Sequence, residues 1–408
     1  MSDSARPVAP HAILRRMTSR DTAEEHRAST PLELFFDLTF VVAVAQAGSR
    51  LVHSLAEGHP GHGLTGYLLV FFAIWWAWVN FTWFASAYDS DDPLYRVATL
   101  VQITGVLVLA AGVPRAFENN DYAVAIVGYL IMRLALTFQW LRAAHDETDA
   151  AARRTALRYA AGLVLVQLGW VLLLLLPDAA WTAGFLLLVV AELAVPAIAE
   201  RDHPTTWHPR HIAERYGLFT IIMLGESVSA ATIAIQTALD DEAALDELLP
   251  IAAGGLLIVF AAYWIYFAVP IHDYLASNRQ AFLWGYGHYV VFGSAAAIGA
   301  GLEVAVEQAV GEAHISRTAA SASVTIPAAL FLLSTFALHS RHHKVGPAQK
   351  ATLPTAGVLI LLCTFLGAAA VPAAGAVAAL TVAVGTVLSA RQGEGDVRPG
   401  RRRATADG

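Results

Sequence analysis

The chain of 408 residues has one cysteine, Cys363. A lone thiol excludes an internal disulfide and any cysteine-paired metal or redox motif. Charge is scarce too: 14% of residues are Asp, Glu, Lys or Arg, where a soluble domain carries about 25%. With 56% hydrophobic residues, so few charges could not cover a water-facing surface, and a soluble fold is excluded. A formal net charge of −7 removes the case for nucleic-acid binding. No stretch alternates polar and apolar over the roughly 10 residues of a barrel strand, which excludes a membrane β-barrel. The N-terminus lacks the short apolar core of a cleavable signal.

Long apolar runs, by contrast, are abundant. Crossing the hydrocarbon core takes about 20 mostly apolar residues. Twelve such stretches lie near 31–55, 64–88, 94–114, 121–143, 157–176, 181–199, 211–238, 249–271, 282–306, 320–339, 352–370 and 371–390. The predicted fold class is therefore all-α, a polytopic membrane helix bundle of about twelve spans over 31–390. A polar tail, 1–30, precedes it and a basic tail, 391–408, follows. The last two stretches, divided near Val371-Pro372, leave a re-entrant hairpin open as an alternative.

Basic residues set the expected orientation. With the N-terminus inside, 22 of the 26 Lys and Arg fall on inside segments, among them Arg6, Arg15, Arg96, Arg142, Arg279, Lys344 and the tail residues Arg398, Arg401, Arg402 and Arg403. Arg115 and Arg317 fall outside, and Arg50 and Arg133 within spans. Both termini are expected in the cytoplasm, with a lipid bilayer as partner; the oligomeric state stays open. The outside loop 240–247, with Asp240, Asp241, Glu242, Asp246 and Glu247, reads as solvated.

The two halves echo one another. Helix 1 opens with Glu33 and helix 7 with Glu214; helix 2 ends in Tyr88-Asp89 and helix 8 in His272-Asp273. Each Asp is followed by an arginine, Arg96 or Arg279. This suggests a parallel six-plus-six duplication of the kind found in transporters.

Three segments stand out in order: Glu33-Leu34-Phe35-Phe36-Asp37-Leu38; Asp91-Asp92-Pro93-Leu94-Tyr95-Arg96; and Glu214-Arg215-Tyr216-Gly217-Leu218-Phe219, running on to Gly225-Glu226-Ser227. Together they resemble the bacterial low temperature requirement protein A family, LtrA, over roughly residues 30–390. The resemblance implies a polytopic membrane protein and no particular reaction, so chemistry must come from the residues themselves.

Ionisable groups within a membrane are costly and point to function. Glu33 and Asp37 lie one turn apart on helix 1, where two acids could share a proton, hold a cation, or answer the helix dipole. Asp89, Asp91 and Asp92 offer three hard oxygen ligands of the kind Mg²⁺ takes. Arg96 could clamp a phosphate, although Asp92-Pro93 also reads as a helix cap. His208, His211 and Glu214 open helix 7 beside Arg215, as a weaker metal candidate or as hydrogen-bonded interface residues. Glu226 lies on the face of Arg215, about 16 Å deeper, and Arg133 on helix 4 is its expected partner. Glu192 falls in the inner half of helix 6 and His288 just inside helix 9; Glu303 reads as an interface residue, and His339, His342 and His343 as part of a basic surface loop.

Three functional readings follow. A membrane enzyme would use Mg²⁺ on Asp89, Asp91 and Asp92, with Arg96, Arg215 and Arg133 binding a prenyl or other lipid diphosphate. Trp76, Trp83 and Tyr263 would line its apolar pocket, and Glu33, Asp37 or Glu226 would act as base. A proton- or cation-coupled carrier would use Glu226 with Arg133 as midplane relay. A non-catalytic membrane protein of cold adaptation is the third reading.

Overall fold

A computed structural model describes residues 14–20, 24, 27–240, 245–344 and 346–396. The tail arginines from Arg398 onward, Arg6, Asp241 and Glu242 lie outside the described residues. Among the described residues twelve α-helices follow one another: α1 (Pro31–Ala56), α2 (Pro60–Tyr88), α3 (Pro93–Asn119), α4 (Ala123–Asp146), α5 (Ala150–Leu173), α6 (Asp178–Ala199), α7 (Pro209–Asp240), α8 (Leu245–Phe267), α9 (Asn278–Ala309), α10 (Arg317–Leu338), α11 (Pro347–Cys363) and α12 (Ala370–Asp396). No strand occurs among the described residues. Among the described residues, eleven of these helices are long and apolar enough to cross a membrane. The twelfth, α11, has 17 residues and is joined to α12 by a tight turn and a short 3-10 segment at Gly367–Ala369.

Local chemistry explains the boundaries. Pro31, Pro60, Pro93, Pro209 and Pro347 each open a helix, where a fixed φ helps and the missing N–H is not needed. Side chains cap α3, α5, α9 and α10: Asp92 accepts from the Tyr95 amide at 2.9 Å, Asp149 from Ala152 at 2.8 Å, Ser277 from Gln280 at 3.4 Å and Ser316 from Ala319 at 3.2 Å. Asn120 ends α3 in the left-handed region, at φ 52°.

The chain divides into two compact units, one of residues 1–47 and 68–218, the other of 48–67 and 219–408. Within the first, α3 packs on α4, α4 on α5 and α5 on α6. Within the second, α9 packs on α10, α10 on α11 and α11 on α12. The pairings thus repeat at an offset of six helices. Contact between second and sixth repeats as well, α2 with α6 through Trp76 and Glu192 in one unit and α8 with α12 in the other. The residues tied to that repeat differ in setting: Asp89 is buried beside Arg27, whereas Asp273 is exposed beside His272.

Close crossings hold the α3–α4 pair. A Cβ on Gly105 would lie 2.6 Å from Met132 Cγ and 2.7 Å from the Gly128 carbonyl, and one on Gly128 would overlap the backbone of Leu109. Small residues let membrane helices approach this closely, and packing then replaces the hydrophobic drive that lipid removes. Gly128→Leu should therefore destabilise the protein by at least about 2–3 kcal/mol. A thermal midpoint in detergent equal to wild type would contradict this.

Candidate functional site

α1 opens on a capping box. The Thr30 amide donates to Glu33 Oε2 at 2.7 Å, and the Glu33 amide donates to Thr30 Oγ1 at 3.3 Å. The box explains an acid at this position but not its complete burial. Glu33 Oε1 lies 3.0 Å from Arg215 Nη1, 3.1 Å from His211 Nε2 and 3.5 Å from Arg27 Nη2. One turn on, Asp37 accepts from Arg215 Nε at 2.9 Å, Arg215 Nη2 at 2.6 Å and the Trp78 indole at 2.6 Å. Arg215 also donates to the Thr82 hydroxyl at 3.4 Å. One fully buried guanidinium from α7 therefore grips two buried carboxylates from α1, using the fork geometry that suits arginine to such sites.

Arg27 closes the cluster from the segment before α1. It donates to the carbonyls of Ala85, at 2.7 Å, and Ser86, groups that the end of α2 leaves without helical partners. It also lies 3.4 Å from Asp89 Oδ2. The set holds three carboxylates (Glu33, Asp37, Asp89) against two guanidinium groups (Arg27, Arg215) and one imidazole, His211. With the imidazole neutral, one negative charge is left over in a buried place, and one proton restores balance. Burial, reinforced by the Glu33 charge and opposed by Arg27, pushes the Asp89 carboxyl up to about 6.

The other sequence-predicted residues fall elsewhere. Asp91, with φ 45°, turns outward and pairs with Arg96 at 2.9 Å, both exposed. Asp92 caps α3 and is held by Arg142. Burial pushes its carboxyl up, but Arg142 and the amides of Tyr95 and Arg15 outweigh that and hold it down at about 2. The expected triad thus faces three different arginines. Among the described residues no three His, Cys, Asp or Glu side chains gather as a metal site. Residues 14–20 are part of this arrangement: the amides of Arg15, Met17 and Ser19 donate to Asp92, Asp146 and Glu147 at 3.1, 2.9 and 2.9 Å.

Arg133, expected opposite Glu226, has an acid within its own unit. It lies 3.0 Å from Glu192 of α6, and both side chains are buried. Glu192 also accepts from the indoles of Trp76, at 2.9 Å, and Trp170, at 3.1 Å, and from the Tyr129 hydroxyl at 2.9 Å. Trp76 is thus an anchor of that network and not a free pocket wall. Glu226 belongs to the second unit, half-buried on α7 beside Gly299, with Glu303 in electrostatic range. Trp83 donates to the Tyr216 hydroxyl at 3.0 Å. Tyr263 is exposed on α8, its ring tilted at 42° against that of Phe267. His208 contacts the Glu24 carbonyl at 2.8 Å, and Glu214 accepts from the Ser29 amide at 3.2 Å.

The structure therefore brings together Glu33, Asp37, Asp89 and Arg215, and leaves Asp91, Asp92, Arg96, Arg133 and Glu226 in other settings. Arg27 is the member that sequence reasoning missed. Its signal was an arginine three residues before a Thr-x-x-Glu capping box, a cation next to an acid that was about to be buried.

Comparison with known proteins agrees with this architecture. The family model described as bacterial low temperature requirement A protein (LtrA) matches residues 28–389. An uncharacterized protein of Rhizobium meliloti (strain 1021) is 28% identical over 217 residues, covering 51% of each chain. The chain thus spans about half the length of the curated relative it matches. With the family match running over nearly all of the helical region, this chain belongs to the bacterial low temperature requirement A (LtrA) family of multi-pass membrane proteins.

Proposed function

We infer that the ion-pair cluster at the start of α1 is a proton-accepting site and that the protein is a proton-coupled membrane carrier. The observation that supports this reading is the imbalance of three buried carboxylates against two guanidinium groups, with His211 alongside. A group that gains or loses a proton there changes which ion pairs hold the ends of α1, α2 and α7 together, and that couples protonation to helix packing. The alternative, a Mg²⁺-dependent enzyme acting on an isoprenoid or lipid diphosphate, would need Asp89, Asp91 and Asp92 to turn inward together and abandon three arginines.

Asp89 supplies the test. Its carboxyl titrates near 6 in the folded protein and near 4 in an unfolded chain. Between those values the folded form keeps a proton that the unfolded chain has lost. Stability should therefore fall as pH rises from about 4 to about 6, by on the order of 3 kcal/mol. Asp89→Asn should remove that slope in thermal unfolding followed in detergent across this range. Equal slopes in both proteins would take Asp89 out of the site. In vesicles holding a pH-sensitive dye, a carrier should change lumenal pH when its solute is added, drawn from a panel of amino acids, sugars and polyamines. Release of diphosphate from an isoprenoid diphosphate with Mg²⁺ would favour the enzyme instead.

A further inference from the structure

The second unit carries a groove that takes no part in the ion-pair cluster. Its volume is about 840 Å³, and it lies among the end of α8, the start of α11 and the last turns of α12. One end is basic: Lys344 and His343 line it, and no Asp or Glu among the described residues does. Lys344 is half-buried and has no carboxylate partner among the described residues. The hydroxyls of Thr352 and Ser389 add polar contacts, while Trp264 and Phe267 form an apolar wall. Both aromatics are also substantially exposed, as are Leu380, Val384 and Val387 on α12. A helix face of that kind belongs in lipid, so the apolar part of the groove runs on into the bilayer.

A half-buried ammonium without a counter-ion, hydroxyls beside it and an aromatic wall leading into lipid match one ligand class. We propose that the groove holds an anionic phospholipid, its phosphate on Lys344 and His343 and an acyl chain along Trp264 and Phe267. A free phosphate would leave the aromatic wall unused, and a zwitterionic lipid would bring its own cation to the ammonium. Basic groups at a membrane surface recognise anionic headgroups at about 1 kcal/mol each, and interfacial aromatics seat the glycerol region.

The test uses full-length protein stripped of lipid in detergent and titrated with phosphatidylglycerol, phosphatidylcholine or inorganic phosphate. Phosphatidylglycerol should raise the thermal midpoint saturably, and the other two should not. Lys344→Gln, at the protein surface, should need roughly fivefold more phosphatidylglycerol for the same shift. A Cβ on Gly385 meets nothing within 4 Å, so Gly385→Phe can fill the groove without disturbing the backbone and should abolish the response. Unchanged elution and unliganded midpoint verify the fold of each variant. Equal shifts with phosphatidylcholine would overturn the proposal, as would a shift produced by inorganic phosphate alone. So would an undiminished response in Lys344→Gln.

Discussion

Replacing Arg215 by glutamine should lower stability by about 3–5 kcal/mol, enough to leave little folded protein. Arg215 is fully buried and is the partner of Glu33 at 3.0 Å and of Asp37 at 2.6 Å. Taking it away strands two carboxylates that remain out of water. Glu33 keeps His211 and Arg27, but among the described residues Asp37 keeps only neutral donors such as the Trp78 indole. The prediction has an internal control: Arg215→Gln combined with Asp37→Asn should recover part of the loss, because the stranded charge is then gone. Thermal midpoints and the yield of monodisperse protein in detergent read both effects. A single substitution costing under about 1 kcal/mol would mean that the cluster is open to water and that its acids do not depend on Arg215.

The second large effect is expected at Glu192. Glu192→Leu leaves the Arg133 guanidinium buried with the Tyr129 hydroxyl as its remaining partner, and two indoles lose their acceptor. A loss of about 3–5 kcal/mol follows. Arg133→Leu with Glu192→Leu removes both charges, and apolar replacement of a buried pair is often close to neutral. The double variant should therefore be much nearer wild type than either single one, when all four proteins are unfolded side by side. If the double variant remains as unstable as Glu192→Leu, the pair does more than balance charge. The function-bearing network would then include α4 and α6.

These two sites differ in how far the sequence announced them. Glu33 and Asp37 were visible as paired acids on one helical face, and Arg215 as a basic residue at the start of α7. Their convergence was not, because i and i+4 spacing places residues on a face without saying what faces it. Arg27 stayed hidden in a polar stretch that read as a tail, yet it binds the end of α2 and two acids. The aspartates at 89, 91 and 92 looked like one ligand set. A left-handed residue at Asp91 and a helix cap at Asp92 send the three side chains to different arginines.

The amino-acid sequence was enough to show a helical, multi-spanning membrane protein and nearly where each helix lies. Hydrocarbon thickness and the need to satisfy every backbone group leave few alternatives for runs of this length, and proline and cap residues mark the starts. It also carried the family, through three motifs in order. Which charges pair became legible only in the fold. Arg133 takes Glu192, because a buried charge is compensated by whatever acid packing brings within about 3 Å, and sequence depth alone does not measure lateral distance between helices. The small-residue crossing of α3 on α4, the groove beside Lys344 and the surplus carboxylate at the start of α1 have the same origin. They are properties of faces in contact, and faces meet only in the fold.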